Sequence, residues 1–134
     1  MRYRPPEYHP AFEEYCETIF ELAEDDFEVI QARIVERLEV SRPAVSEMIH
    51  RLEEAGLVNA ADGTIKLTPD GQELAASVVR RHRLAERFLT DVLGLDWTDA
   101  HHEAGKWEHV ISPEVEDALN RLLGEPTTLS LIHI

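Results

Sequence analysis

The 134-residue sequence predicts a mainly α-helical protein with one small β-hairpin wing, arranged as a winged helix-turn-helix followed by a helical module. Three observations carry this. Apolar residues recur at three- and four-residue steps along most of the chain. Ser41 and Pro43 sit where one short helical stripe ends and the next begins, a cap followed by a first-turn proline. Two strand-like runs then follow the second stripe directly, joined through Asp62-Gly63, a strong hairpin signal.

Taken in order, residues 10–25 read as a helix. Phe12, Tyr15, Cys16, Ile19, Leu22 and Ala23 form its apolar stripe, while Glu13, Glu14, Glu17, Glu21 and Glu24 take the other faces. Residues 29–39 form a second stripe through Ile30, Ile34, Val35 and Leu38. A third helix runs from Pro43 through Val45, Met48, Ile49 and Leu52 and stops at Gly56. Two short helices joined by a tight turn make a helix-turn-helix. Residues 57–60 and 64–67 are the strands of the wing. Thr68 caps a long helix over about 69–93, whose stripe is Leu74, Val78, His82, Ala85, Leu89 and Val92 and which Gly94 ends. Residues 98–110 form a further helix, and Pro113 opens a last one with Val115, Ala118, Leu119, Leu122 and Leu123 on its apolar face. The expected domains are 8–70, the winged helix-turn-helix, and 71–124, the helical module. Residues 125–134 form a tail. Its last six residues, Leu129 to Ile134, read as an adapter-derived scar on a truncated gene, with a natural short chain as the alternative, and His133 is not counted as a ligand.

With 13 basic against 27 acidic side chains, the net charge is −14. Nucleic-acid binders are usually basic, so the total argues against that class. The distribution weakens the objection, because residues 31–87 hold nine acids and nine bases while both flanks are acidic. Arg33, Arg37, Arg42, Arg51 and Lys66 all lie in or beside the predicted winged segment. No apolar run approaches the roughly 20 residues of a membrane span, and no secretory leader is visible at the N-terminus. One cysteine, Cys16, excludes an internal disulfide and any zinc site built from several thiolates. A cytoplasmic protein is expected.

The side chains that could carry chemistry are imidazoles and carboxylates at helical spacing. His82 and Glu86 are four apart, and His101, Gly105, Glu108 and His109 fall on one helical face. Glu14 and Glu17 are three apart on the first helix. Histidine and carboxylate pairs on separate helices are what a transition-metal site needs. Each pair alone has an ordinary alternative: a core histidine at His82, a charge pair of Glu86 with Arg83 or Arg87, a solvated face at Glu14 and Glu17. The signal is that three helices each offer a compatible pair. Nucleophilic catalysis is disfavoured, since Cys16 lies on an apolar stripe and no phosphate-binding glycine loop or HExxH motif occurs. A zinc hydrolase using His101, Glu108 and His109 would leave the winged segment unexplained.

Several strings together resemble the diphtheria-toxin-repressor-type regulators, metal-dependent repressors that sense iron or manganese. They are Tyr15 to Leu22, Ala32 to Leu38 with Ser41, Pro43, Val45 and Ser46, Val79 to Leu89 (VVRRHRLAERFL without its first residue), and His101 to Val110 (HHEAGKWEHV). The resemblance covers about 11–124. It implies two metal sites per subunit, holding Mn(II) or Fe(II). His82, Glu86 and His101 correspond to the ancillary site. Glu14, position 105, Glu108 and His109 correspond to the primary site, and manganese sensors add an acid matching Glu17. Family members place Cys or Glu at position 105. Here it is Gly105, which has no ligand to offer. The resemblance also puts Ser41, Arg42, Pro43, Ala44, Ser46 and Glu47 toward the major groove of double-stranded DNA, Glu47 replacing a common Gln, with Arg42, Arg51 and Lys66 as the better phosphate candidates. It implies a homodimer on a palindromic operator, with Trp107 and the leucines of 115–123 as dimer anchors. Longer members continue into an SH3-like domain. The expected function is therefore a metal-dependent transcriptional repressor controlling metal homeostasis, and not an enzyme. The alternatives are a metal-independent winged-helix regulator and, less favoured, a metallohydrolase.

Overall fold

The computed structural model describes residues 10–124. Among these residues, six α-helices and one two-stranded sheet occur in the order α1 (Pro10–Glu24), α2 (Gln31–Leu38), α3 (Arg42–Glu54), β1 (Val58–Asn59), β2 (Lys66–Leu67), α4 (Pro69–Arg87), α5 (Trp97–Trp107) and α6 (Pro113–Leu122). A π-helical turn, Phe88–Val92, continues α4. The chain forms two compact units that divide between Ala76 and Ser77, inside α4. The tail predicted at 125–134, with His133, lies outside the described residues.

In the first unit, α1, α2 and α3 pack together, with the wing against α1 and α3. Ile19, Ile34, Val45, Leu52 and Leu57 are fully buried there. The turn between α2 and α3 needs one residue in the left-handed region, and Glu39 takes it at φ 56°, at a cost of roughly 1 kcal/mol. Ser41 then caps α3, its hydroxyl accepting from the Ala44 N–H at 3.2 Å. α3 closes with a Schellman motif: Leu57 N–H donates to the Leu52 carbonyl and Gly56 N–H to that of Glu53, with Gly56 at φ 79°. In the sheet, Val58 pairs with Leu67 and Asn59 with Lys66, antiparallel. Ile65 N–H also donates to the Val29 carbonyl at 2.8 Å, tying the wing to the segment that leads into α2.

Several expectations are corrected. The wing strands are two residues each rather than four, and Asp62-Gly63 lies within a longer connection in which Gly63 N–H meets the Ala60 carbonyl. Glu13 is buried, not on a polar face. It lies one turn before Cys16 and so shares the apolar stripe. Ile30 precedes α2 as its N-cap and is partly exposed. Ala23 and Val92 are exposed despite their places in the apolar stripes. α5 ends at Trp107, because Val110 and Ile111 N–H groups both turn back to the Trp107 carbonyl before the Ser112 cap of α6. His109 therefore sits just beyond the helix.

The second unit has its own core of Leu84, Ala85, Leu89, Ala100, Ala104, Ile111 and Leu119, with Phe88, Leu95, Trp107 and Leu123 packed against it. Trp107 and Leu119 thus serve the protomer's own core, whereas Val115, Ala118 and Leu122 on the same stretch are exposed. Arg80 holds α6 to α4 through a 2.9 Å ion pair with Glu116.

Candidate metal centre

The second unit assembles its polar cluster from two helices and the turn after them. α4 presents His82 and, one turn later, Glu86. The π-turn follows, with the Thr90 hydroxyl donating to the Glu86 carbonyl at 2.9 Å, and π-turns recur at functional sites. Gly94, at φ 76°, reverses the chain. Asp96 then caps α5 by accepting from the Asp99 N–H at 2.9 Å. This reversal lays His101 against His82, their rings edge-on with centroids 4.9 Å apart.

Three donors converge. His82 Nε2 lies 2.8 Å from Glu86 Oε2 and 3.2 Å from His101 Nδ1. His101 Nδ1 also hydrogen-bonds Glu86 Oε2. All three ligand atoms lie within 4.8 Å of one another. The other nitrogen of His82, Nδ1, meets Glu108 Oε1 at 2.6 Å. Glu108 is buried, and its second oxygen is 3.5 Å from His109 Nε2.

The side chains of His82 and Glu86 are only 15% and 19% exposed. Burial pulls the His82 pKa down, but the hydrogen bonds and charges of Glu108 and Glu86 outweigh it, so the imidazole is held above its ordinary value. Two imidazoles and a carboxylate oxygen facing inward bring three lone-pair donors together. A proton on His82 relieves the crowding in part, and a divalent cation would relieve it fully. The two separations from His82 Nε2, 2.8 and 3.2 Å, fit such a cation: bonds of about 2.1 Å at right angles place neighbouring donors about 3.0 Å apart. Glu108, hydrogen-bonded to the far side of His82, completes a carboxylate–histidine arrangement that fixes ring tautomer and orientation.

The structure thus brings together His82, Glu86, His101 and Glu108, with His109 beside Glu108. Gly105 lies on α5 with open space around it: a β-carbon there would meet nothing within 4 Å. Glu14 and Glu17 lie on α1 in the first unit, Glu14 exposed and Glu17 half-buried. One residue of this region carried no sequence-level assignment. Trp97, the first residue of α5, stacks on His101 one turn later, and its i, i+4 spacing was the available signal.

On the first unit, Ser41, Arg42, Pro43, Ala44, Ser46 and Glu47 at the N-terminal end of α3 are all exposed, as are Arg51 and Lys66. Val45, Ile49 and Leu52 on the opposite face are buried. The Arg51 guanidinium lies over the Phe12 ring, 5.7 Å from the centroid.

Two family models match the chain. Residues 8–62 match the iron-dependent repressor N-terminal DNA-binding domain, and residues 68–130 match the iron-dependent repressor metal-binding and dimerisation domain. The chain is 48% identical over 117 residues to the iron-dependent repressor IdeR of Mycobacterium tuberculosis, covering 87% of this chain and 51% of that protein. It is 51% identical over 112 residues to the diphtheria toxin repressor of Corynebacterium diphtheriae, covering 83% and 50%. Among solved structures, the manganese regulator SloR matches with a TM-score of 0.78 at 37% identity, over 90% of this chain and 56% of that one. The chain spans about half the length of the curated relatives it matches. Between them the two domain matches account for most of the sequence, and the chain belongs to the iron-dependent repressor family.

Proposed function

We propose that this protein is a metal-dependent transcriptional repressor that binds double-stranded DNA as a homodimer and controls metal homeostasis in the cytoplasm, with Mn(II) or Fe(II) as its effector and no catalytic activity of its own. The observation that carries the reading is the convergence of His82, Glu86 and His101 in a chain that also holds a winged helix-turn-helix. A relative named as an iron-dependent repressor and a solved structure named as a manganese regulator support it.

In this reading His82, Glu86 and His101 hold one cation, and Glu108 and His109 contribute to a second with Glu14 and Glu17. A bound divalent cation supplies the positive charge that lets clustered imidazoles and carboxylates stay together without a proton. Glu108 keeps the His82 ring oriented through its Nδ1. Donors drawn from separate helices favour whichever arrangement of the chain lets all of them engage at once, so effector binding shifts the population toward the DNA-competent form. Arg42, Arg51 and Lys66 meet phosphates and set register, while Ser41, Pro43, Ala44, Ser46 and Glu47 face base edges. Two-fold symmetry requires a palindromic operator. Exposed Val115, Ala118 and Leu122 are the apolar positions on α6 that remain for a second copy.

The test is a gel shift on duplexes selected from a random library, with Mn(II), with Fe(II) and with chelator. Binding should appear with metal and vanish with chelator. His82→Ala and His109→Ala should abolish the response while circular dichroism shows the helices retained. A shift indifferent to chelator would leave a metal-independent winged-helix regulator instead.

A further inference from the structure

We infer that Trp97 is a positioning residue for the metal cluster, holding the His101 imidazole in its ligating orientation by stacking on the ring face. The inference rests on reading His82, Glu86 and His101 as ligands and adds to it a residue from outside the donor set.

Trp97 is 65% exposed at the first turn of α5, and it is absent from the apolar core of its unit. A large indole in that place gains little from burial. Its contact is His101, with ring centroids 5.2 Å apart and planes 16° from parallel. His101 is also the donor that most needs holding. Its side chain is 55% exposed, against 15% for His82 and 19% for Glu86. An exposed imidazole on a helix surface samples several rotamers, and ordering it on binding costs entropy. The indole one turn earlier removes part of that freedom beforehand. It covers one ring face while leaving Nδ1 directed at Glu86 and His82. Coordination makes an imidazole more positive, and a cationic ring is attracted to an indole face. The stack therefore strengthens when the cluster is loaded, and Trp97 favours the bound state.

The experiment titrates Mn(II) into wild type, Trp97→Phe, Trp97→Ala and His101→Ala by calorimetry. Removing groups that orient metal ligands commonly weakens affinity by about 10–100-fold, so Trp97→Ala should lose about tenfold while Trp97→Phe, which keeps an aromatic face, stays within about threefold of wild type. A spectroscopic reading separates positioning from general structure. Trp97 and Trp107 are the two tryptophans of the chain, so in Trp107→Phe the indole emission reports Trp97 alone. Mn(II) should quench it with the same midpoint as the heat, and adding His101→Ala should remove the quenching. If Trp97→Ala binds like wild type while His101→Ala does not, the stacking role is overturned and the ligand set stands. If His101→Ala binds like wild type, the ligand reading itself fails and takes this inference with it.

Discussion

Gly71 and Gly105 should respond in opposite directions to the same substitution, and the structure gives the size of each effect. Gly71 lies in the first turn of α4, at an ordinary helical φ, so its conformational freedom is not what the position requires. Close approach is. A β-carbon built there would lie 2.0 Å from the Leu57 carbonyl oxygen, 3.0 Å from its carbon and 3.1 Å from Leu67 Cδ2. The nearest atom is backbone and cannot swing aside. Leu57 is held by its own N–H on the Leu52 carbonyl at 2.9 Å and by the Thr68 N–H on its oxygen at 3.0 Å. Thr68 Oγ1 adds a 2.7 Å bond to the Gly56 carbonyl. Gly71→Ala must push this junction of recognition helix, wing and α4 apart by about 1 Å. Overpacking costs about 1–3 kcal/mol, here at the upper end because no side chain can yield. Alanine's helix advantage of at most about 1 kcal/mol offsets part of it. The net loss is about 2 kcal/mol, a fall in Tm of about 6–10 °C for a chain of this size. Gly105→Ala meets no atom and should gain up to about 1 kcal/mol from propensity alone. Chelator-treated variants followed by far-UV circular dichroism through heating and urea provide the assay. A Gly71→Ala protein as stable as wild type would refute the close-packing argument, and so would a destabilised Gly105→Ala.

Two further outcomes are expected. Gly105→Glu places a carboxylate in open space on the face that carries Glu108, so it should fold normally and bind Mn(II) more tightly by calorimetry; unchanged affinity would mean that the added group does not reach the cation. Cys16 is buried, and desolvation first, then the negative charge of Glu13, pushes its thiol from 9.0 up to about 12. Because the folded value is the higher one, the neutral thiol stabilises the fold fully below pH 9 and that contribution fades as pH rises through about 12. Iodoacetamide at pH 8 should label the urea-unfolded protein and spare the native one, and rapid native labelling would contradict the burial.

Much of the scaffold was legible because its signals are local. The Ser41-Arg42-Pro43 start of α3, the Gly56 stop and the capped opening of α4 are each decided by a few neighbouring residues, and they appear where expected. So does the pairing of His82 with Glu86, which needs nothing beyond one helical turn. Periodicity was less reliable at its margins. It placed Glu13 among polar faces although the residue sits one turn before buried Cys16, and it carried α5 through His109 although the Ser112-Pro113 start of the next helix stops it earlier.

The sequence by itself determined the winged helix-turn-helix, the set of imidazoles and carboxylates available for metal, and the absence of a ligand at Gly105. The tertiary structure alone decided that Glu108 occupies the nitrogen of His82 opposite His101, that Trp97 stacks on His101, and that Trp107 and Leu119 are spent on the protomer's own core. The reason is physical. Helical spacing says which side chains share a face, and it reads from one helix at a time. Which faces meet depends on the turn between helices, here a π-turn, a left-handed Gly94 and the Asp96 cap. Whether an exposed aromatic serves core, partner or ligand depends on what that turn has brought beside it.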